Sequence, residues 1–150
     1  MAGSRFVYVS YIRTTPEKLW DTLTNTDFIP LYWGGNRIES EWRVGASWRL
    51  IMADGRVGDR GEIEAFDPPS RLQLRWHNEW IPELAAEGYS TCTIELEPVG
   101  EAVKLTLVHE IAQAGSKFID AVSGGWPQIL SNLKSLIETG DIAVAPRRVS

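Results

Sequence analysis

The apolar residues of this chain change period twice. From Phe6 to Arg13 (FVYVSYIR) β-branched and aromatic residues dominate, a composition that predicts a strand. Thr14-Thr15-Pro16-Glu17 then begins a helix. Thr15 offers a side-chain oxygen as N-cap, and Pro16 suits the first helical position, where its missing N–H has no partner to lose. Leu19, Trp20 and Leu23 share one face of that helix. Asp27 is expected to cap a short second helix through Leu31 and Tyr32, which Gly34-Gly35 ends.

The period then falls to two. Strands are expected over Arg37 to Trp42, Ser47 to Met52, Gly61 to Phe66, Arg71 to Asn78, Tyr89 to Glu97 and Ala102 to Glu110. Arg43-Val44-Gly45-Ala46, Asp54-Gly55, Asp67-Pro68-Pro69-Ser70 and Pro98-Val99-Gly100 separate them, and such short connections imply an antiparallel meander. Glu79 to Glu87, with Pro82 and Ala85-Ala86, reads as a mobile lip. From Phe118 onward the helical period returns in Phe118, Val122, Trp126, Ile129, Leu130, Leu133 and Ile137, and Gly140 stops it. Gly124-Gly125 and Pro127 predict a kink or a break into two helices.

This order of elements predicts an α+β fold in which one long helix, from about Gly115 to Thr139, covers one face of a curved antiparallel sheet. Alternation places Trp48, Leu50 and Met52 on one face, and does the same for Leu72, Leu74 and Trp76, for Cys92, Ile94 and Leu96, and for Leu105, Leu107 and His109. A single domain over residues 1 to 140 is expected, with residues 141 to 150 a flexible tail.

Composition narrows the function classes. A chain of 150 residues hides roughly 70% of its unfolded surface, enough for a core without disulfides or metals. The net charge of −5 opposes nucleic acid and anionic membrane as partners. Cys92 is the single cysteine, which suits a reducing, cytoplasmic setting, and with only His77 and His109 beside it no zinc site is expected. No secretory segment or membrane span is legible. No Gly-rich phosphate loop is present, so neither a nucleotide cofactor nor ATP hydrolysis is expected.

Several segments carry a resemblance. Thr14-Thr15-Pro16-Glu17-Lys18-Leu19-Trp20 is similar to the opening of the SRPBCC superfamily, which includes START and Bet v 1-like domains. Trp42-Arg43-Val44-Gly45, Gly61-Glu62-Ile63-Glu64, Pro68-Pro69-Ser70-Arg71-Leu72 and Gly124-Gly125-Trp126 resemble, within it, the activator of Hsp90 ATPase homologue group. Together they span about residues 6 to 140. The resemblance implies a β-α-α-β6-α helix-grip fold and an elongated cavity between sheet and last helix. It implies no single activity, because the superfamily holds carriers, receptors, cyclases, hydrolase-like enzymes and co-chaperones. Ala46 departs from the group, where a second glycine is common. The eukaryotic co-chaperone also carries an N-terminal Hsp90-binding domain, for which this chain leaves no room, so direct Hsp90 activation is not expected.

The residues expected to meet a ligand are Trp33, Trp48, Leu50, Met52, Trp76, Asn78, Leu107, His109, Phe118, Val122 and Trp126, with Trp80 a further indole beside them. For any single one of the seven tryptophans core filling is the favoured role, and at least two are expected to touch the pocket, since an indole combines a large apolar area with one N–H donor. His109 points towards the helix and is expected to be neutral and hydrogen-bonded, although a general-base role is chemically open to it. Asn78 supplies a polar group near the pocket mouth. His77 and Glu79 read as a solvated strand face. Cys92 reads as a small apolar residue. The leading reading is a binding protein for a small apolar or aromatic molecule. The alternatives are a cyclase- or hydrolase-type enzyme using the same cavity, and a protein-interaction module. Oligomeric state is left open, a homodimer included.

Overall fold

The computed structural model describes residues 3–144. Residues 145–150 of the expected tail lie outside them. The elements run β1 (Ser4–Ile12), α1 (Pro16–Thr24), α2 (Ile29–Tyr32), β2 (Arg37–Ser40), β3 (Ser47–Ile51), β4 (Val57–Asp67), β5 (Arg71–Asn78), α3 (Pro82–Ala85), β6 (Ser90–Val99), β7 (Ala102–Ile111) and α4 (Lys117–Thr139). The seven strands form one antiparallel sheet in the order β1-β7-β6-β5-β4-β3-β2. A meander from β2 to β7 is closed by β1, which returns alongside β7. The register shifts at Leu50/Ile51 and Ile63/Ala65, and interruptions of a ladder of this kind accompany bending of a sheet. Phe118, Ile119, Trp126, Leu130 and Leu133 of α4 are buried in one core with the inward residues of the strands, which is the expected helix-grip arrangement.

Local chemistry explains most element ends. The Thr15 side chain accepts from Lys18 N at 3.2 Å and Pro16 opens α1. The Ser116 hydroxyl caps α4 by accepting from Ile119 N at 3.0 Å. Gly140 ends α4 in the left-handed region, at φ 87°.

Four expectations are corrected. Asp27 does not cap α2; Phe28 occupies that position without a side-chain bond, and Asn25 Oδ1 instead accepts from Asp27 N at 2.8 Å. The strand at Arg37 stops at Ser40, because Ser40 Oγ accepts from Trp42 N and the chain turns through Trp42 at φ 51°. The segment after Asn78 contains α3. Finally, α4 runs as a single helix through Gly124, Gly125 and Pro127, so the expected break into two helices does not occur. A proline inside a helix costs about 3 kcal/mol. Burial of an apolar side chain contributes about 1.5–3 kcal/mol, and five of them on α4 outweigh that cost. Beyond α4 the first tail residues are held, since Asn132 exchanges two hydrogen bonds with the Val144 backbone, at 2.9 and 2.7 Å.

One close approach depends on a missing side chain. The Trp48 indole lies over Gly61 and donates from Nε1 to Arg75 O at 3.1 Å. A Cβ at Gly61 would stand 1.6 Å from that carbonyl and 3.0 Å from Nε1. Gly61→Ala is therefore expected to lower stability by about 3 kcal/mol or more, read by urea unfolding. A loss below about 1 kcal/mol would mean the strands can separate there without strain.

Candidate functional site

A cavity of about 250 Å³ lies between the inner faces of β3, β4 and β5, the segment around α3, and the first half of α4. Eight of the eleven expected residues line it: Trp33, Leu50, Met52, Trp76, Asn78, Phe118, Val122 and Trp126. Trp48, Leu107 and His109 share the predicted face but do not reach it. Trp48 packs behind Trp76, with ring centroids 4.6 Å apart. Leu107 is fully buried in the core. His109 sits behind Trp76, Phe118 and Trp126, with rings 5.1, 5.1 and 6.2 Å away.

Three indoles divide the interior. Trp33 meets Trp126 edge-on at 5.1 Å, Trp76 meets Trp126 edge-on at 5.7 Å, and Trp33 stacks near Trp76 at 6.4 Å. Beyond this triangle the remaining void, lined by Leu23, Tyr32, Ile38 and Leu72 among others, measures about 20 Å³. That holds about one water and no organic molecule. Of these two spaces, the one by α3 and the first half of α4 is the one large enough for an organic molecule.

Three polar side chains line the cavity: Asn36, Asp59 and Asn78. Asn78 is buried at the end of β5, where its Nδ2 donates to Asp59 Oδ1 at 3.1 Å. Its own Oδ1 accepts from Trp80 N at 3.3 Å and Ile81 N at 2.9 Å. One amide therefore joins the carboxylate to the backbone that begins α3. Asp59 is 8% exposed, and burial pushes its pKa up to about 6. The Trp76 indole N–H and the Asn78 amide pull the other way, and the nearby charge of Glu79 adds a smaller rise. Trp76 Nε1 is buried and stands close enough to act on the carboxylate, but its geometry falls short of a hydrogen bond.

The segment from Glu79 to Gly88 contributes Trp80, Ile81 and Leu84 as an outer wall. Its far end is held by Glu87, whose carboxylate accepts from Ser116 Oγ, Lys117 N and Phe118 N at the start of α4. His77 is half-buried under this segment. It pairs with Glu79 through Nδ1 and meets Ala85 O through Nε2 at 3.0 Å, so the pair anchors the lip and is no free solvated face.

The two candidate nucleophile or base positions are both engaged or inert. Trp126 Nε1 donates to His109 Nδ1 at 3.1 Å, and His109 Nε2 meets Ser90 Oγ at 2.9 Å. Indole N–H can only donate, so the proton of the neutral imidazole sits on Nε2 and is given to Ser90. Burial drives the His109 pKa down to about 3. Cys92 is buried among apolar neighbours, which raises its thiol pKa. Among the described residues no cluster of three His, Cys, Asp or Glu could hold a metal, and no helix is long and apolar enough to cross a membrane.

Asp59 escapes a sequence reading that begins its strand at Gly61. The strand begins at Val57, and Asp59 then shares the inward parity of Gly61 and Ile63, opposite Leu50 and Asn78. Extending that parity back by two residues was the available signal. Asn36, Trp80, Ile81 and Leu84 reach the cavity through loop geometry that no period encodes, while Ala121, Gly125 and Ile129 follow the same helical face as Phe118, Val122 and Trp126.

Because the pKa of Asp59 is raised on folding, its stabilising effect is complete below about pH 4 and is lost as pH rises through about 6. Asp59→Asn keeps an acceptor for Asn78 and removes the buried charge. It is expected to stabilise the fold by up to about 3 kcal/mol near neutral pH, with no gain at pH 4 or below. Thermal unfolding across pH checks this, and a gain that does not depend on pH would contradict it.

No curated protein matches the chain. Among solved structures, protein MLL2253 from Mesorhizobium loti is similar at a TM-score of 0.78 and 23% identity, covering 93% of this chain and 100% of that one. PFC0360w, an HSP90 activator from Plasmodium falciparum, aligns at 0.74 and 23% identity, covering 90% and 96%. The Aha1 dimer from Colwellia psychrerythraea aligns at 0.75 and 18% identity, covering 91% and 98%. At these identities the likeness is one of fold. The family model for activator of Hsp90 ATPase homolog 1-like proteins matches residues 13–138. The chain belongs to the activator of Hsp90 ATPase homolog 1-like family.

Proposed function

We propose that this protein binds one small aromatic or apolar molecule in the cavity between β5, α3 and α4. The observation that carries the reading is the wall itself. Trp33, Trp76, Trp80, Phe118 and Trp126 surround about 250 Å³ of space, with few polar groups among them. That is the composition of small-molecule sites in general, at a volume slightly below their usual range of roughly 300–1,000 Å³. It suits a molecule of one or two rings. Asp59 is the single ionisable side chain in the lining. An enzyme of the cyclase or hydrolase type is expected to converge at least two such groups on its substrate, so binding without chemistry is the simpler account.

Gly125 provides the test. It lines the cavity from α4, and a Cβ built there meets nothing within 4 Å. A larger residue also favours the helix over glycine by up to about 1 kcal/mol. Gly125→Phe and Gly125→Leu are therefore expected to fold normally and to fill the space. The parent should show saturable changes in tryptophan fluorescence with 2-phenylethanol, and the Phe variant should weaken that binding by roughly tenfold or more. Unchanged circular dichroism would verify the fold. No saturation in the parent, or equal binding by a folded Gly125→Phe, would overturn the reading and move the interaction module ahead.

A further inference from the structure

The cavity contains a carboxylate, Asp59, that no cationic side chain among the described residues pairs. Asp59 Oδ1 accepts from Asn78, and the Trp76 indole N–H stands near the carboxylate without closing a hydrogen bond to it. No lysine, arginine or histidine among the described residues lies within ion-pair distance of this carboxylate. The nearby cations are engaged elsewhere: Arg60 with Glu79, Arg75 with Glu62 and Arg56 with Asp54. The other side chains presented to the cavity, Leu50 and Met52 from the β3 side, Leu84 from α3, and Phe118, Val122 and Trp126 from α4, are uncharged. Glu79, just past the end of β5, is a like charge, and His77 near it is committed to Glu79.

An unpaired buried carboxylate is costly, and a cation that arrives with hydrogen-bond donors removes that cost. The surrounding walls favour the same occupant. Indole and phenyl faces attract ammonium groups, with tryptophan the strongest. Trp80 already shows this attraction, with the Arg56 guanidinium 5.6 Å from the ring centroid. A neutral hydrocarbon would leave Asp59 dry and unpaired, and an anion would be repelled by it. The net charge of −5 also favours the approach of a cation.

We propose that the ligand is a small aromatic amine in its protonated form, with the ammonium against Asp59 Oδ2 and the ring among Trp33, Trp76, Trp126 and Phe118. This rests on the reading of the cavity as a small-molecule site and specifies the ligand it takes.

Three probes of one shape separate the possibilities: 2-phenylethylamine, 2-phenylethanol and 3-phenylpropanoate, titrated by calorimetry near neutral pH. The amine is expected to bind roughly tenfold or more tightly than the alcohol, and the carboxylate not to saturate. In Asp59→Asn the amine should fall to within about threefold of the alcohol, while the alcohol changes by less than about threefold. Trp80→Leu, at a half-exposed position, should weaken the amine more than the alcohol. Equal binding of amine and alcohol by the parent, or an amine preference that survives Asp59→Asn, would overturn the proposal. Either result would leave the cavity reading standing, because the alcohol still binds and Gly125→Phe still blocks it. Failure of all three probes would overturn both.

Discussion

A buried hydrogen-bond chain holds the gripping helix against the sheet. It runs from the Trp126 indole on α4 to His109 on β7, on to Ser90 on β6, and ends at the Trp76 carbonyl on β5, where Ser90 Oγ donates at 3.4 Å. Four elements are tied by three bonds. Each donor and acceptor is spent, so the imidazole stays neutral and the polar atoms carry no desolvation penalty. Hydrophobic burial alone would hold α4 near the sheet, but it is non-directional. The chain adds direction. It sets the rotation of the Trp126 ring, and that ring is both a wall of the cavity and a corner of the triangle that closes off the deeper core. The shape of the site follows from a histidine that does not touch it.

A second polar node governs the other wall. Asn78 uses its two ends for different tasks, donating to Asp59 within the cavity and accepting from the Trp80 and Ile81 backbone outside it. The lip is thus fastened at one end to the carboxylate and at the other, through Glu87, to the first turn of α4. Lid, carboxylate and helix form one connected unit.

The apolar periods of the sequence carry most of the fold. Alternation in Leu72, Leu74 and Trp76, and helical spacing in Phe118, Val122 and Trp126, orient side chains within each element, and burying those faces admits few arrangements. Thr15, Ser116 and Gly140 mark helix ends because capping is a local interaction, complete within one turn. The errors sit where long-range packing overrides local preference. Pro127 disfavours a helix over its own neighbours, yet the burial on both sides of it decides the outcome.

For the site, the sequence determined which residues face inward and therefore most of its aromatic lining. Period has no information about depth. Trp48, Leu107 and His109 share the inward face with Leu50 and Trp76, and only the packing of one ring upon another places the first three behind the wall and the others on it. Asp59 belongs to the same class: an inward position two residues before Gly61 is legible once the strand is drawn long enough. Its lack of a cationic partner is not, because Arg56, Arg60 and Arg75 are close in sequence or register and turn outward to other carboxylates. Parity is a property of one strand, whereas occupied volume and unpaired charge are properties of how all the elements meet.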